Sequence, residues 1–584
     1  MRIVKRPRCG KPRISIPRVL TAFMVAMFLF ACGPIYAGLE QGATHESDTQ
    51  FLLEFIGFEI DPRLETSEAR RSKEGLQIIY DGRGFRNGMP KSIFDFANQL
   101  RPTKTAKEAF LDEGTIPSPP SRPLGLADQA LPLAESLMER EGSLLATRNC
   151  FDCHAGANAG MAIAGMGNSH LDQVYAYSNY KKLAKFEPVL TALSEYRIHW
   201  EGEAERGRIE LENIFYLLNE VLLPTFKYAR SRGDNMGPYA VWAYASRIKD
   251  AKTEGLKVLP RGETSQYTEL LGMEELPTVD PNPWWHRKYK QSSYRYGEYS
   301  VHRSAHFALN FTNPHDEVNE THRGHVRDID TILKFADQTQ SPAYPHRIDE
   351  QLEREGAAYY HGEKPLQNGK TLNCQKCHGR YLKTGPWGEV GHWRVDYKEE
   401  GVKNVGTDKK YNEFLRRMKR IADRTLELSE YPGFEGGDEI IPLAEVPAKK
   451  GYLPGPLVGA WISAPYFHNG SVPTIEQVLN SKKRAKVWKR NSSPMEYDFE
   501  GLGLKHETLE MSRADYRVQQ KTLGAEASPQ GSRFRAIYHT EMFGRSKRGH
   551  RFGDRMNDEE RKAVIEFIKS LSGPNMEPMG RPRT

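Results

Sequence analysis

Two copies of one short pattern, Cys150-Phe151-Asp152-Cys153-His154 and Cys374-Gln375-Lys376-Cys377-His378, constrain this chain more than any other feature. Cys-x-x-Cys-His is the attachment signature of c-type haem. The two thiols add across the haem vinyl groups, and the histidine that follows lies under the iron as its proximal ligand. A zinc or redox Cys-x-x-Cys pair does not call for His directly after the second Cys. The expectation is therefore two covalent haem c groups. Cys150 and Cys153 hold the first, with His154 as proximal ligand. Cys374 and Cys377 hold the second, with His378 beneath it.

The remaining cysteines sharpen this reading. Of six in 584 residues, Cys9 and Cys32 fall in an N-terminal stretch that reads as a secretory signal, which leaves four, all used by the two haems. Arg2, Lys5, Arg6, Arg8, Lys11, Arg13 and Arg18 precede an apolar run from Val19 to Ala31, too short for a membrane span. Cleavage after Ala37 suits a small-residue site, while Leu29-Phe30-Ala31-Cys32 offers a lipoprotein box and a lipid anchor as the alternative. The formal charge of +7 matches the seven basic residues of that leader, so the processed chain is near neutral. Nothing here argues for nucleic acid, and no transmembrane helix is expected after processing. Export to the periplasm of a Gram-negative-type bacterium, or secretion, follows, with an outer-membrane lipoprotein as the variant on Cys32.

Residues 38–340 are read as an N-terminal haem domain carrying an insertion, 341–573 as a C-terminal cytochrome c domain, and 574–584 as a frayed tail after the 1–37 signal. Pro117 to Pro123 reads as a rigid loop, and Leu126 to Thr147 as a helix feeding the first motif. Leu211, Ile214, Phe215, Leu218 and Leu222 give the inter-motif segment a helical stripe. Its end is aromatic, with Trp284, Trp285, Tyr289, Tyr294, Tyr296 and Tyr299. Residues 431–456 are rich in Gly and Pro and read as loops. Asn557 and Glu560 form a capping box for a last helix with Val564, Phe567, Ile568 and Leu571 on one stripe. Few period-2 runs are visible. The fold expected is mainly α: two cytochrome c-like domains with long loops and a helical insertion between the motifs.

Beyond the motifs, Ser463-Ala464-Pro465-Tyr466-Phe467-His468-Asn469-Gly470-Ser471, Val405-Gly406-Thr407-Asp408 and Gly549-His550-Arg551-Phe552-Gly553 resemble the bacterial di-haem cytochrome c peroxidase superfamily. The closer likeness is to its longer branch, which includes the rubber oxygenases. It covers about residues 355–572, and Gly356-x-x-Tyr359-Tyr360 resembles the family's lead-in helix, although a loop from His361 to Asn373 intervenes before Cys374. The resemblance implies electron entry at the second haem from a small periplasmic cytochrome c or cupredoxin, and peroxide reduction at the first. An O2-dependent dioxygenase of the rubber-cleaving type and a non-catalytic two-haem electron carrier are the alternatives.

The sixth iron position separates these readings. For the second haem the resemblance points to His550, with Met542 and Met556 as alternatives, against a surface histidine among Arg545, Lys547, Arg548 and Arg551. For the first, Met161, Met166 and His170 follow the motif; His170 is the distal candidate, against a hydrogen-bonded loop residue. Tyr466 and His468 are expected beside the second haem. Ser463 and Pro465 occupy positions whose carbonyls bind calcium in relatives. Trp284 or Trp285 is an electronic bridge between the haems or a core aromatic pair.

Overall fold

Each Cys-x-x-Cys-His motif closes one helical turn, Phe151–His154 or Gln375–His378, and runs directly into a β-hairpin. After the first, Ala155–Asn158 pairs antiparallel with Met161–Ala164; after the second, Arg380–Lys383 pairs with Trp393–Asp396. In both, a third strand joins parallel to the hairpin's second strand, Glu54–Ile56 in one and Met576–Pro578 in the other. The chain thus builds the same small module twice, one around each motif. These statements rest on a computed structural model that describes residues 53–58, 66–85, 88–99, 105–123, 131–140, 142–176, 232–233, 277–293, 299–300, 320–416, 451–524 and 526–579. The signal, Cys32, the stripe Leu211–Leu222, Tyr294, Tyr296, and residues 431–450 and 580–584 lie outside them.

A crossed helix pair stands beside each module, and both crossings depend on a glycine. Helix Ser67–Tyr80 packs along Glu320–Gln338, where a side chain on Gly75 would meet the Thr331 carbonyl oxygen at 2.3 Å. Helix Glu350–His361 packs along Asp558–Ser570, where a side chain on Gly356 would meet the Ala563 carbonyl at 1.9 Å. The aromatic residue after Gly356 uses the close approach, since the Tyr360 and Phe567 rings lie 5.0 Å apart. Gly356→Ala is expected to force this pair apart and remove about 3 kcal/mol of stability, read as a lower denaturant midpoint with the slope unchanged.

The expectation of a mainly α fold is corrected. Of the described residues, 36% are helical and 17% lie in strands, in several small sheets. Short strands buried along most of their length show no apolar–polar alternation, so no period of two was visible. Ala155–Asn158 and Met161–Ala164 are buried at every position. The helix expected over Leu126 to Thr147 is also corrected. Its described part is a hairpin, Glu135–Arg140 with Ser143–Arg148, turned at Gly142 with φ +80°. Nor is the tail frayed up to residue 579: Met576 is buried, and its carbonyl accepts from the Tyr289 hydroxyl at 2.6 Å. The capping box holds, with Asn557 and Glu560 each bonded to the other's backbone N–H.

Candidate functional site

Around the second motif, backbone bonds set the histidine. The His378 amide donates to the Cys374 carbonyl at 3.0 Å, closing the turn that places both thiols and the imidazole on one side. The loop from His361 to Asn373 is pinned rather than loose: Leu366 and Leu372 are buried, and the Cys374 amide donates to the Tyr360 carbonyl at 3.1 Å. His378 Nδ1 lies 2.8 Å from the Gly455 carbonyl oxygen. A carbonyl only accepts, so Nδ1 carries the proton and Nε2 keeps its lone pair for a metal.

His550 faces His378 with ring centroids 6.1 Å apart and planes at 64°. Metal–imidazole bonds run about 2.0–2.1 Å, so two imidazoles sharing one ion stand with centroids about 6 Å apart. The separation fits an iron between them. His550 sits at φ +46°, left-handed backbone that is costly for a residue with a side chain. Its amide donates to the Val405 carbonyl at 2.9 Å, and the preceding Gly549 packs so closely on Gly406 that a Cβ would lie 2.4 Å from the Gly406 carbonyl carbon. The blocks Val405–Asp408 and Gly549–Gly553, far apart in sequence, meet here.

The loop is stapled by a residue the sequence did not single out. Buried Arg484 donates to five carbonyls: Gln477 (2.8 Å), Val478 (2.9 Å), Lys547 (2.8 Å), Gly549 (2.7 Å) and His550 (3.0 Å). Burial pulls its pKa down to about 10. In sequence it closes Lys482-Lys483-Arg484, a run that reads as a solvated face. Met542 packs with Tyr516 and Phe534 in a separate cluster, and Met556 joins the main core.

Around the first motif the geometry differs. His154 Nδ1 is buried without a hydrogen-bond partner, and the ring stacks on Trp284 with centroids 4.9 Å apart and planes at 28°. The Gly165 amide donates to the His154 carbonyl at 2.7 Å, and the Trp284 amide to the Gly165 carbonyl at 2.8 Å, fixing indole and imidazole together. His170 is buried, but its Nε2 is engaged by Asn158 Oδ1 at 3.2 Å and its ring packs on Phe110. The Asn158 amide nitrogen donates to the Ile462 and Ala464 carbonyls, which fixes Oδ1 as the atom facing His170 and makes Nε2 the donor. His170 is thus held differently from His550. Met161 lies in the hairpin strand.

Between the motifs runs a chain of contacts. Trp285 Nε1 donates to the Val458 carbonyl at 3.0 Å, and His286 Nε2 bonds to the same oxygen at 2.8 Å. Three residues upstream, Gly455 accepts from His378. A pocket of about 180 Å³ opens beside His378, lined among others by Met166, Pro283, Ser463, Pro465, Tyr466 and Phe467. The Tyr466 hydroxyl lies 2.8 Å from the Ala460 carbonyl, and His468 stacks flat on Tyr452 at 3.7 Å.

The donor set suits haem better than a thiolate metal site. Burial raises the Cys150 and Cys374 thiols to about 12, and Cys153 well above its ordinary value. Zinc needs thiolates. Among the described residues no group of three or more His, Cys, Asp or Glu could hold a metal ion. Haem brings its own four nitrogens and asks the chain only for axial ligands and two thiols.

Residues 451–489 match the family described as RoxA-like, cytochrome c-like. That stretch contains Gly455, which holds His378, and Arg484, which holds the His550 backbone, together with Tyr466 and His468. The chain is also 36% identical over 67 residues to the uncharacterized protein y4iM of Sinorhizobium fredii, covering 12% of this chain and 15% of that protein. It is 25% identical over 272 residues to the uncharacterized protein y4iJ of the same organism, covering 38% of this chain and 39% of that protein. The chain therefore spans well under half the length of these relatives. The family match supports a cytochrome c-like unit that binds haem c with its iron, and a haem-dependent oxidoreductase. Among the described residues no helix is long and apolar enough to cross a membrane.

Burial lowers His550 to about 4, helped by the charges of His378 and Arg484, and lowers His154 to about 4, helped by Arg287. Their folded values lie below the ordinary 6.5, so the unfolded chain takes up more protons between those limits. Their contribution to stability is intact above 6.5 and shrinks as the pH falls towards 4.

Proposed function

We propose that the chain is an exported di-haem c-type oxidoreductase with two unequal haems, in units divided near residue 340. The C-terminal haem, attached to Cys374 and Cys377, is held between His378 and His550 and carries electrons. The N-terminal haem, attached to Cys150 and Cys153 over His154, keeps its other face for the oxidant, hydrogen peroxide in the first reading. The observation that carries this division is the contrast between a facing imidazole at 6.1 Å and a His170 already engaged by Asn158.

When bound, the N-terminal haem supplies an iron at which an O–O bond can be split. The chain supplies the rest. His154, kept neutral by burial, offers its lone pair to the iron. Trp284, flat against that imidazole, fixes its orientation and excludes water from its face. From His378 a route of two hydrogen bonds, the backbone from Gly455 to Val458, the Trp284–Trp285 peptide link and one stacked ring leads to His154. Reduction of one hydrogen peroxide to two waters takes two electrons and two protons. The electrons enter at the C-terminal haem from a small periplasmic donor, a cytochrome c or cupredoxin.

The second reading is an O2-dependent cleavage of an apolar alkene that draws on no donor protein, and the family match over residues 451–489 is compatible with either. The test is anaerobic peroxide consumption by the haem-loaded chain with a reduced donor. Two electrons should be used per peroxide, and His154→Ala should lose at least about 100-fold of the rate while the C-terminal haem spectrum stays. Turnover surviving in that variant would sink the assignment. O2 uptake with an alkene, and none of the peroxide reaction, would establish the second reading.

A further inference from the structure

Beside His550 the surface has an unusual make-up. Phe552 is 47% exposed, although its ring stands edge-on to the His550 ring at 5.3 Å. Phe552 therefore links solvent by one van der Waals contact to a partly buried histidine that faces His378. Arg548, Arg551 and Arg555, all within four residues of this phenylalanine along the chain, are exposed. The Asn368 amide donates to the Arg555 carbonyl at 2.7 Å, which brings the loop carrying exposed Lys370 to the same rim. Exposed Lys376 lies between the two thiols of the motif.

None of these five cations has an ion-pair partner among the described residues, whereas nearby Lys483 and Lys486 are paired with Glu476 and Glu541. The acidic groups at the rim are Asp554, Asp558 and Glu559. Asp554 accepts from the Ser481 amide and hydroxyl and feels the charges of Arg484 and Arg551 without an ion pair to either, and Asp558 pairs with Arg561. The balance is cationic around one apolar side chain.

We propose that this rim is the docking surface for a small redox protein with an acidic face around its own exposed redox centre. The proposal rests on His378 and His550 holding a haem, and it adds the place and charge of the partner. An exposed apolar contact gives the electron a short path, and a ring of unpaired cations steers an acidic partner into register. Redox encounters are small and weak, so charge governs the association. The docked protein gives up one electron, which the C-terminal haem takes, and no bond or proton moves. An anionic lipid surface would also meet the charge, but it gives no reason for Phe552 to stand on His550.

The test is calorimetric binding of an acidic ferredoxin to the haem-loaded full chain, with a basic cytochrome c and anionic vesicles as separate titrants. Affinity for the ferredoxin should fall at least about tenfold between about 10 mM and about 200 mM salt. It should fall about tenfold or more in Arg548→Glu/Arg551→Glu/Arg555→Glu, while the C-terminal haem spectrum and its reduction by dithionite stay as before. Equal affinity for the basic protein, unchanged affinity in the variant, or binding to the vesicles alone would overturn the docking surface. Binding that follows the expected pattern without peroxide turnover would leave the surface standing and remove the peroxidase reading. Peroxide turnover that ignores both salt and the three substitutions would do the reverse.

Discussion

His550→Ala is expected to raise carbon monoxide uptake of the fully reduced, haem-loaded chain from one molecule to two. Haem content should not change, because Cys374, Cys377 and His378 all remain. One imidazole faces another across 6.1 Å, so removing the ring would bare the sixth position of an iron held on His378. The loop itself should survive, since it is held by the His550 amide on Val405 and by Arg484 on the backbone carbonyls, not by the imidazole. His550→Met gives the companion result, a raised reduction potential, because Met/His ligation favours the reduced iron. An unchanged carbon monoxide count in the alanine variant would mean that His550 does not cap the iron.

Arg484→Leu should have the largest effect on stability. The guanidinium, itself buried, satisfies five carbonyls from two segments, Gln477–Val478 and Lys547–His550. Hydrogen bonds to a charged donor contribute more than neutral ones, and stranding their acceptors costs the desolvation of each. A loss of about 3–5 kcal/mol is expected in denaturant titration. Lysine should rescue little, because one ammonium cannot span two segments as the planar fork does. The variant should also lose the six-coordinate spectrum at neutral pH, since the left-handed backbone at His550 is held by these bonds. Loss of stability with the spectrum retained would assign the strain at His550 to another support.

The parts of the chain legible in sequence were those whose chemistry is local. The two motifs were legible as a helical turn carrying two thiols and a histidine each, and a capping box at Asn557 needs only residues three apart. Gly356 and Tyr360 were legible as a lead-in helix, though not the contact with Ala563 that makes the glycine necessary. The hairpins after each motif were hidden because Ala155–Asn158 and Met161–Ala164 are short and buried throughout, so no alternation marks them. Arg484 was hidden for the opposite reason: a buried guanidinium and a solvated one look alike within a run of basic residues. Gly455 lay in a Gly/Pro-rich stretch that suggested loops, and nothing there marked which carbonyl would hold His378. The difference between His170 and His550 depends on Asn158, whose own orientation is set by the Ile462 and Ala464 carbonyls some 300 residues away.

The most direct test of the two unequal haems is a carbon monoxide titration of the fully reduced native chain, with haem quantified in the same sample. Two haems and one carbon monoxide per chain are expected, the unliganded haem keeping its low-spin spectrum. A single haem, or two carbon monoxide molecules bound, would contradict the assignment of His378 and His550 to one closed iron. None bound would contradict an open iron above His154 and leave the chain an electron carrier.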